Sequence, residues 1–290
     1  MSAIERSAEA QHTPEEHTAP AWCPGCGNFS ILKTIDGALD SAGLDRRKVV
    51  LVSGIGQAAK LPHYVQKPVN VFNGLHGRAI PPATAIKLVN HELEVIVTSG
   101  DGDLYGEGGN HLLHAMRRNI GIKVFVHNNQ VYALTKGQAS PTSDPGTPTK
   151  IQSYGVVSMA FNPIAAAISQ GCSFVARSFA GMPDHLEEMM VAAMQHRGGF
   201  ALLDILQPCV TFNKINTHKW YKERVKLLDS SYDPFNRAVA METAFEWGTQ
   251  IPLGIIYRND RTSYESKLPL LEAGPLIQRY EGPVAYEQPL

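Results

Sequence analysis

Between Asn28 and Leu206, short and continuously apolar runs alternate with stretches whose apolar residues recur three and four positions apart. A strand that is apolar at every position is covered on both faces, and helices between such strands do the covering. The pattern therefore commits the chain to an α/β fold, a parallel sheet with helices on both faces. Ile31, Leu32, Ile35 and Leu39, closed by Gly43, predict a helix over 28–42. Strands are expected over Lys48–Val52, Val69–Phe72, Leu93–Thr98, Ile122–His127, Ser173–Ala176 and Phe200–Leu206, with helices over 79–90, 107–118, 163–170 and 184–196 between them. In such sheets ligands sit beyond the carboxyl ends of the strands, so the residues that follow each strand carry the functional information.

The chain has 290 residues, 43% hydrophobic and 18% charged, enough to bury a large core. A formal net charge of −1 supplies no basic excess, so nothing electrostatic points to nucleic acid or an anionic membrane. No apolar run approaches the roughly 20 residues of a membrane span, and the polar, acidic start does not resemble a signal peptide; a cytoplasmic location is expected. Residues 1–20 read as a tail and 21–215 as the main domain. Residues 216–290, with Pro234, Pro252, Pro269, Pro275, Pro283 and Pro289, read as an extension over the domain or a neighbouring chain, serving contacts between subunits. The Gly-, Pro-, Ser- and Thr-rich segment Gly137–Lys150 is expected to be an active-site loop.

Two strand ends stand out. The run Leu93–Thr98 leads into Ser99-Gly100-Asp101-Gly102-Asp103, and the next strand leads into Asn128-Asn129-Gln130-Val131-Tyr132. Asp101 and Asn129 lie 129 − 101 = 28 positions apart, an interval that one helical crossover fills. A carboxylate and an amide oxygen would thus meet at the tips of adjacent parallel strands, with Gly100 and Gly102 allowing a ligand close approach. Hard oxygens of this kind, with phosphate and water, are what magnesium takes. Either turn alone is a weak signal; the pairing is what carries weight.

The wider pattern is WCPGCGN at 22–28, SGIG at 53–56, HGRA at 76–79, GDGD and GGNH within 100–111, NNQVYALTKGQASPTS at 128–143, and PCVTFN at 208–213. Together these motifs resemble the β subunits of 2-oxoacid:ferredoxin oxidoreductases, above all those acting on 2-oxoglutarate, over about residues 21–215. The resemblance implies the diphosphate-binding fold of thiamine-diphosphate enzymes. Asp101, Asn129 and the carbonyl of Val131 would hold Mg2+. Ile55, Gly56, Gln57, His76, Gly100, Gly102, Asp103, Ala133 and Leu134 would line the cofactor site, with His76 offering a hydrogen bond to a phosphate oxygen. Lys136 would meet the carboxylate of the oxoacid, a task for which an ammonium on a flexible stem is suited.

By the same resemblance, Cys23, Cys26 and Cys209 would bind a 4Fe–4S cluster through soft thiolates. The family's remaining ligand is the Cys that follows Ser-Gly-Ile-Gly, and here that position holds Gln57. The alternatives are an unusual fourth ligand, a three-iron cluster and a labile one; Cys172 would serve only if its strand start lay beside the cluster, and core packing is the expected role for it. Read without the family, a CxxC pair also suits zinc or redox chemistry. The implied reaction is coenzyme A-dependent oxidative decarboxylation of a 2-oxoacid, or its reverse, with electrons leaving through the cluster to ferredoxin. The implied partner is an α subunit whose pyrimidine-binding domain brings the activating glutamate. A non-redox thiamine enzyme, without iron, and a structural zinc protein are the competing readings.

Overall fold

The computed structural model describes residues 19–279, so the expected tail lies outside the described residues except for its last two. In chain order the elements are α1 (Gly27–Ser41), β1 (Val49–Ser53), β2 (Asn70–Asn73), α2 (Ile80–Val89), β3 (Glu94–Gly100), α3 (Gly109–Arg118) and β4 (Lys123–Asn128). A small hairpin, β5 (Val131–Tyr132) and β6 (Gln138–Ala139), is followed by α4 (Pro163–Ser169), β7 (Phe174–Phe179), α5 (Pro183–Gln195) and β8 (Ala201–Leu206). The chain finishes with α6 (His218–Lys222), β9 (Val225–Leu227), α7 (Arg237–Ala244) and β10 (Ile251–Arg258), then short 3-10 turns.

The main sheet has eight strands in the order β2-β1-β3-β4-β8-β7-β10-β9. Every neighbouring pair is parallel except β10 with β7. Successive side chains of each strand point to opposite faces, so the continuous apolar runs feed two cores at once. Val50, Val52, Val124, Val126 and Leu202 pack with α2, α3, α4 and α7 on one face. On the other face Val49, Leu51, Phe125, Leu203 and Ile205 pack with α1 and α5. The α/β expectation is met, with each expected strand and helix within a few residues of its predicted bounds.

Three features differ from the sequence reading. Residues beyond 215 are not merely draped over the domain: β10 pairs with β7, β9 extends the same sheet, and Ala240, Ala244, Ile256 and Tyr257 join a core. Pro252, one of the prolines behind the reading of an extension, lies at the end of β10 that pairs with β9, before the ladder to β7 begins at Gly254. Next, a π-helical turn over Gly102–Glu107 precedes α3, which starts only at Gly109. Finally, Ala58–Tyr64 forms a 3-10 segment behind the Ile55–Gln57 loop. No described helix is long and apolar enough to cross a membrane.

Because β1, β3, β4 and β8 are mutually parallel, Ser53, Gly100, Asn128 and Leu206 end at one edge of the sheet. The loops that follow all four strands meet there.

Candidate functional site

β3 and β4 are direct neighbours, with Gly100 opposite His127, so Asp101 and Asn129 leave the sheet side by side. Both line one cleft of about 140 Å3, together with Ile55, Gly56, Gln57, His76, Gly100, Gly102, Asp103, Val131, Ala133 and Leu134. Every residue that the sequence assigned to the diphosphate and magnesium site is brought to this cleft. Ala58, Tyr132 and Thr135 also line it and were not singled out; Tyr132 and Thr135 lie within the 128–143 motif, whereas Ala58 gave no signal.

Asp101 is 2% exposed. Its Oδ2 accepts hydrogen bonds from Ser140 Oγ at 2.5 Å and Thr142 Oγ1 at 2.7 Å, both supplied by the expected active-site loop. Burial pushes its carboxyl up to about 6, against the lowering effect of those hydroxyls. Among the described residues no side-chain cation pairs with it. A buried carboxylate without a cation, beside an amide, suits a hard divalent ion that would restore its charged form. The Asn129 Oδ1 accepts from Val131 N–H at 3.1 Å, an Asx-type turn that folds the Val131 segment back over the tip of β4. Gly102 has no room for a side chain, since a Cβ there would lie 2.2 Å from Tyr132 Cε1.

Asp103 faces inward as well as toward the cleft. Its Oδ1 accepts from Ile55 N–H at 3.1 Å and Gly77 N–H at 2.7 Å and lies 2.7 Å from His76 Nδ1, while Oδ2 accepts from Ser99 Oγ at 2.8 Å. One carboxylate thereby ties the loop after β1, the turn before α2 and the end of β3. The other ring nitrogen of His76 lies 3.1 Å from Glu107 Oε2. A phosphate oxygen could be met by Nε2 only in exchange for Glu107.

Cys23, Cys26 and Cys209 line a second, smaller cavity of about 50 Å3 together with Gln57 and Gln207. The two nearby cysteines come from a tight turn in which Gly25, at φ +79, follows Pro24 and Cys26 N–H donates to Cys23 O at 3.0 Å. Cys209 follows β8, three residues past its end. Burial holds the Cys26 thiol above its ordinary value, and Cys209 and Cys23 add to the rise. Gln207 Nε2 donates to Cys26 Sγ at 3.5 Å. Among the described residues no three His, Cys, Asp or Glu side chains converge on a point that suits a single metal ion. Cys172 belongs elsewhere: it precedes β7 at the opposite edge, buried, with its Sγ directed at Phe174 O and Phe200 O. Lys136 is exposed at φ +81 in the β5–β6 turn and does not line the cleft.

His127, on β4, links that strand to both α1 and β3. Fully buried and held neutral, its ring pushed down to about 3 by burial, it lies 2.8 Å from Asn28 Oδ1 at the start of α1 and 2.9 Å from Thr98 Oγ1 on β3. The helix that follows Cys26 is thus pinned to the strand that leads into Asn129.

A strand-tip cleft with these donors defines a class, and the class is supported by comparison: residues 52–205 match the thiamine pyrophosphate enzyme C-terminal TPP-binding domain. Residues 209–273 match the C-terminal region of the pyruvate ferredoxin oxidoreductase β chain, which accounts for the strands found beyond 215. The chain is 47% identical over 259 residues to the 2-oxoacid:ferredoxin oxidoreductase β subunit of Saccharolobus solfataricus, covering 85% of each. It is 39% identical to the 2-oxoglutarate synthase subunit KorB of Archaeoglobus fulgidus, covering 71% of this chain and 76% of that one. The solved 2-oxoglutarate:ferredoxin oxidoreductase of Magnetococcus marinus, with 2-oxoglutarate, coenzyme A and succinyl-CoA bound, superposes with a TM-score of 0.84 at 34% identity, covering 93% and 90% of the two chains. The chain belongs to the β subunits of the 2-oxoacid:ferredoxin oxidoreductases.

Proposed function

We propose that this subunit holds the diphosphate end of thiamine diphosphate through Mg2+ on Asp101, Asn129 and the Val131 carbonyl. Cys23, Cys26 and Cys209 hold an iron–sulfur cluster beside it, and together they serve coenzyme A-dependent oxidation of a 2-oxoacid, 2-oxoglutarate before others, with ferredoxin as electron acceptor. The observation that carries this reading is a shared wall: Gln57, Asn129 and Ala133 line both the cofactor cleft and the three-thiol cavity. A non-redox thiamine enzyme has no use for thiols there, and a structural zinc has no use for Asp101 and Asn129.

Held through Asp101, Asn129 and the Val131 carbonyl, thiamine diphosphate would supply a nucleophilic carbon and an electron sink for a 2-oxoacid. The chain's own residues position and exclude. Asp103 holds the Ile55 loop and the His76 turn in one frame, and Ser140 and Thr142 orient the Asp101 carboxylate. Lys136, exposed in the β5–β6 turn one residue past the cleft-lining Thr135, is assigned to the carboxylate of the incoming oxoacid.

A cleft of about 140 Å3 is below the ~300 Å3 at which pockets for drug-sized ligands begin. Its surroundings include the exposed apolar side chains of Ile55, Leu75 and Leu134. The second wall, with the glutamate that activates the cofactor, is therefore assigned to an α subunit. When purified together, the α and β chains should contain thiamine, iron and sulfide and reduce ferredoxin faster with 2-oxoglutarate than with pyruvate. Full activity from this chain alone, or a thiamine-replete complex free of iron, overturns the proposal.

A further inference from the structure

The three thiols leave one corner of a four-iron cluster without sulfur, and the side chain standing at that corner's sequence position is an amide. Gln57 lines the thiol cavity, and its Oε1 is buried with no hydrogen-bond partner among the described residues. A buried amide oxygen without a partner is destabilising, and this one is free to accept a ligand. Its main chain is held in place, because Trp22 Nε1, on the residue before Cys23, donates to Gln57 O at 2.8 Å.

Other donors around the cavity are engaged or misplaced. Asn28 Oδ1 lies within hydrogen-bond distance of the His127 ring, Asn129 Oδ1 accepts from Val131 N–H, and Thr211 is exposed at the rim. Cys172 is at the far edge of the sheet. Gln207 is the one rival: its Oε1 is also unpartnered, but its Nε2 donates to Cys26 Sγ, which suits a hydrogen-bond donor to a cluster sulfur rather than an iron ligand.

Resting on the cluster reading above, we propose that the Gln57 carboxamide oxygen serves as the fourth protein ligand of the cluster held by Cys23, Cys26 and Cys209. Three irons are then bound by thiolate and one by a harder, weaker oxygen donor, so that one iron is exchangeable. On oxidation by a one-electron acceptor such as ferricyanide, the four-iron cluster of charge 2+ gives a three-iron cluster of charge 1+, one Fe2+ and one electron, which reduces the ferricyanide. The three thiolates remain attached throughout. Fe2+ with a reductant reverses the change.

The test uses the anaerobic αβ complex, with iron, acid-labile sulfide and thiamine measured alongside electron paramagnetic resonance. Stoichiometric ferricyanide should release one Fe2+ per cluster to a chelator and produce a three-iron signal. Gln57→Ala should carry that signal as isolated, with acid-labile sulfide retained. Gln57→Cys should show neither release nor signal under the same treatment. Wild-type release that persists unchanged in Gln57→Cys overturns the inference, as does a three-iron signal that appears in Gln207→Ala but not in Gln57→Ala. A wild-type cluster that keeps all its iron overturns it too, while the cluster reading survives. Absence of iron and sulfide from the wild-type complex sinks the cluster reading itself.

Discussion

Removing the carboxylate of Asp103 should loosen three loops at once. In Asp103→Ala the N–H groups of Ile55 and Gly77 lose their acceptor, as do the Ser99 hydroxyl and the His76 ring. The two backbone donors alone, at about 1–3 kcal/mol each for a buried group left unpaired, sum to about 2–6 kcal/mol. The Gly77 N–H bond is buried and Ile55 is partly exposed, which places the expected loss near the middle, about 4 kcal/mol. Urea unfolding followed by tryptophan fluorescence should register this as a midpoint lower by about 1 M or more. Thiamine should be lost from the purified complex in parallel. Asp103→Asn keeps an oxygen for the Ile55, Gly77 and His76 donors and presents its NH2 to Ser99 Oγ, which can turn to accept. Its loss should be about 1–2 kcal/mol, with most of the thiamine retained. An Asp103→Ala protein that unfolds with the wild type would refute the view that this carboxylate frames the cleft; one that retains full stability but no thiamine would make Asp103 a direct cofactor ligand instead.

Three further outcomes are expected. His127 has a folded-state value below its unfolded one, so its contribution is present above about pH 6.5 and lost as the pH falls toward 3. Over the two units from pH 6.5 to 4.5, wild type should lose about 2 kcal/mol more stability than His127→Gln, a difference profile in which other titrating groups cancel. Parallel profiles would show that the ring is not held neutral by burial. Gly102→Ala, whose new methyl group would overlap the Tyr132 ring, should displace the β5 segment and weaken Mg2+ and thiamine retention tenfold or more, measured by dialysis; unchanged retention would mean that the tip adapts. Lys136→Met should raise KM for 2-oxoglutarate about 10- to 100-fold, the equivalent of one charged hydrogen bond, with thiamine content unchanged; an unaltered KM removes Lys136 from the substrate site.

The fold was legible wherever strands are buried on both faces, because continuous apolar runs such as Val49–Val52 and Val124–Val126 permit no other placement. β10 was missed because Pro252 and Gly254 interrupt its apolar run. The candidate site was legible at the strand tips, where Asp101 and Asn129 follow uninterrupted strands. What escaped was the wiring behind them. That Asp103 closes on Ile55 and Gly77, that Ser140 and Thr142 reach back 39 and 41 positions to Asp101, and that His127 joins Asn28 to Thr98 are contacts set by loop conformation, which has no period in sequence. The π-helical turn that aims Asp103 inward is equally silent, since Gly102–Glu107 carries no apolar period and the expected helix began only at 107.

The direct measurement is metal and cofactor content of the αβ complex carrying Asp101→Ala. Magnesium-dependent thiamine retention should fall to background, while iron, sulfide and the visible absorption of the cluster stay at wild-type levels, because the thiols lie across a shared wall and not on the strand tip. Thiamine retained at wild-type levels would contradict the account.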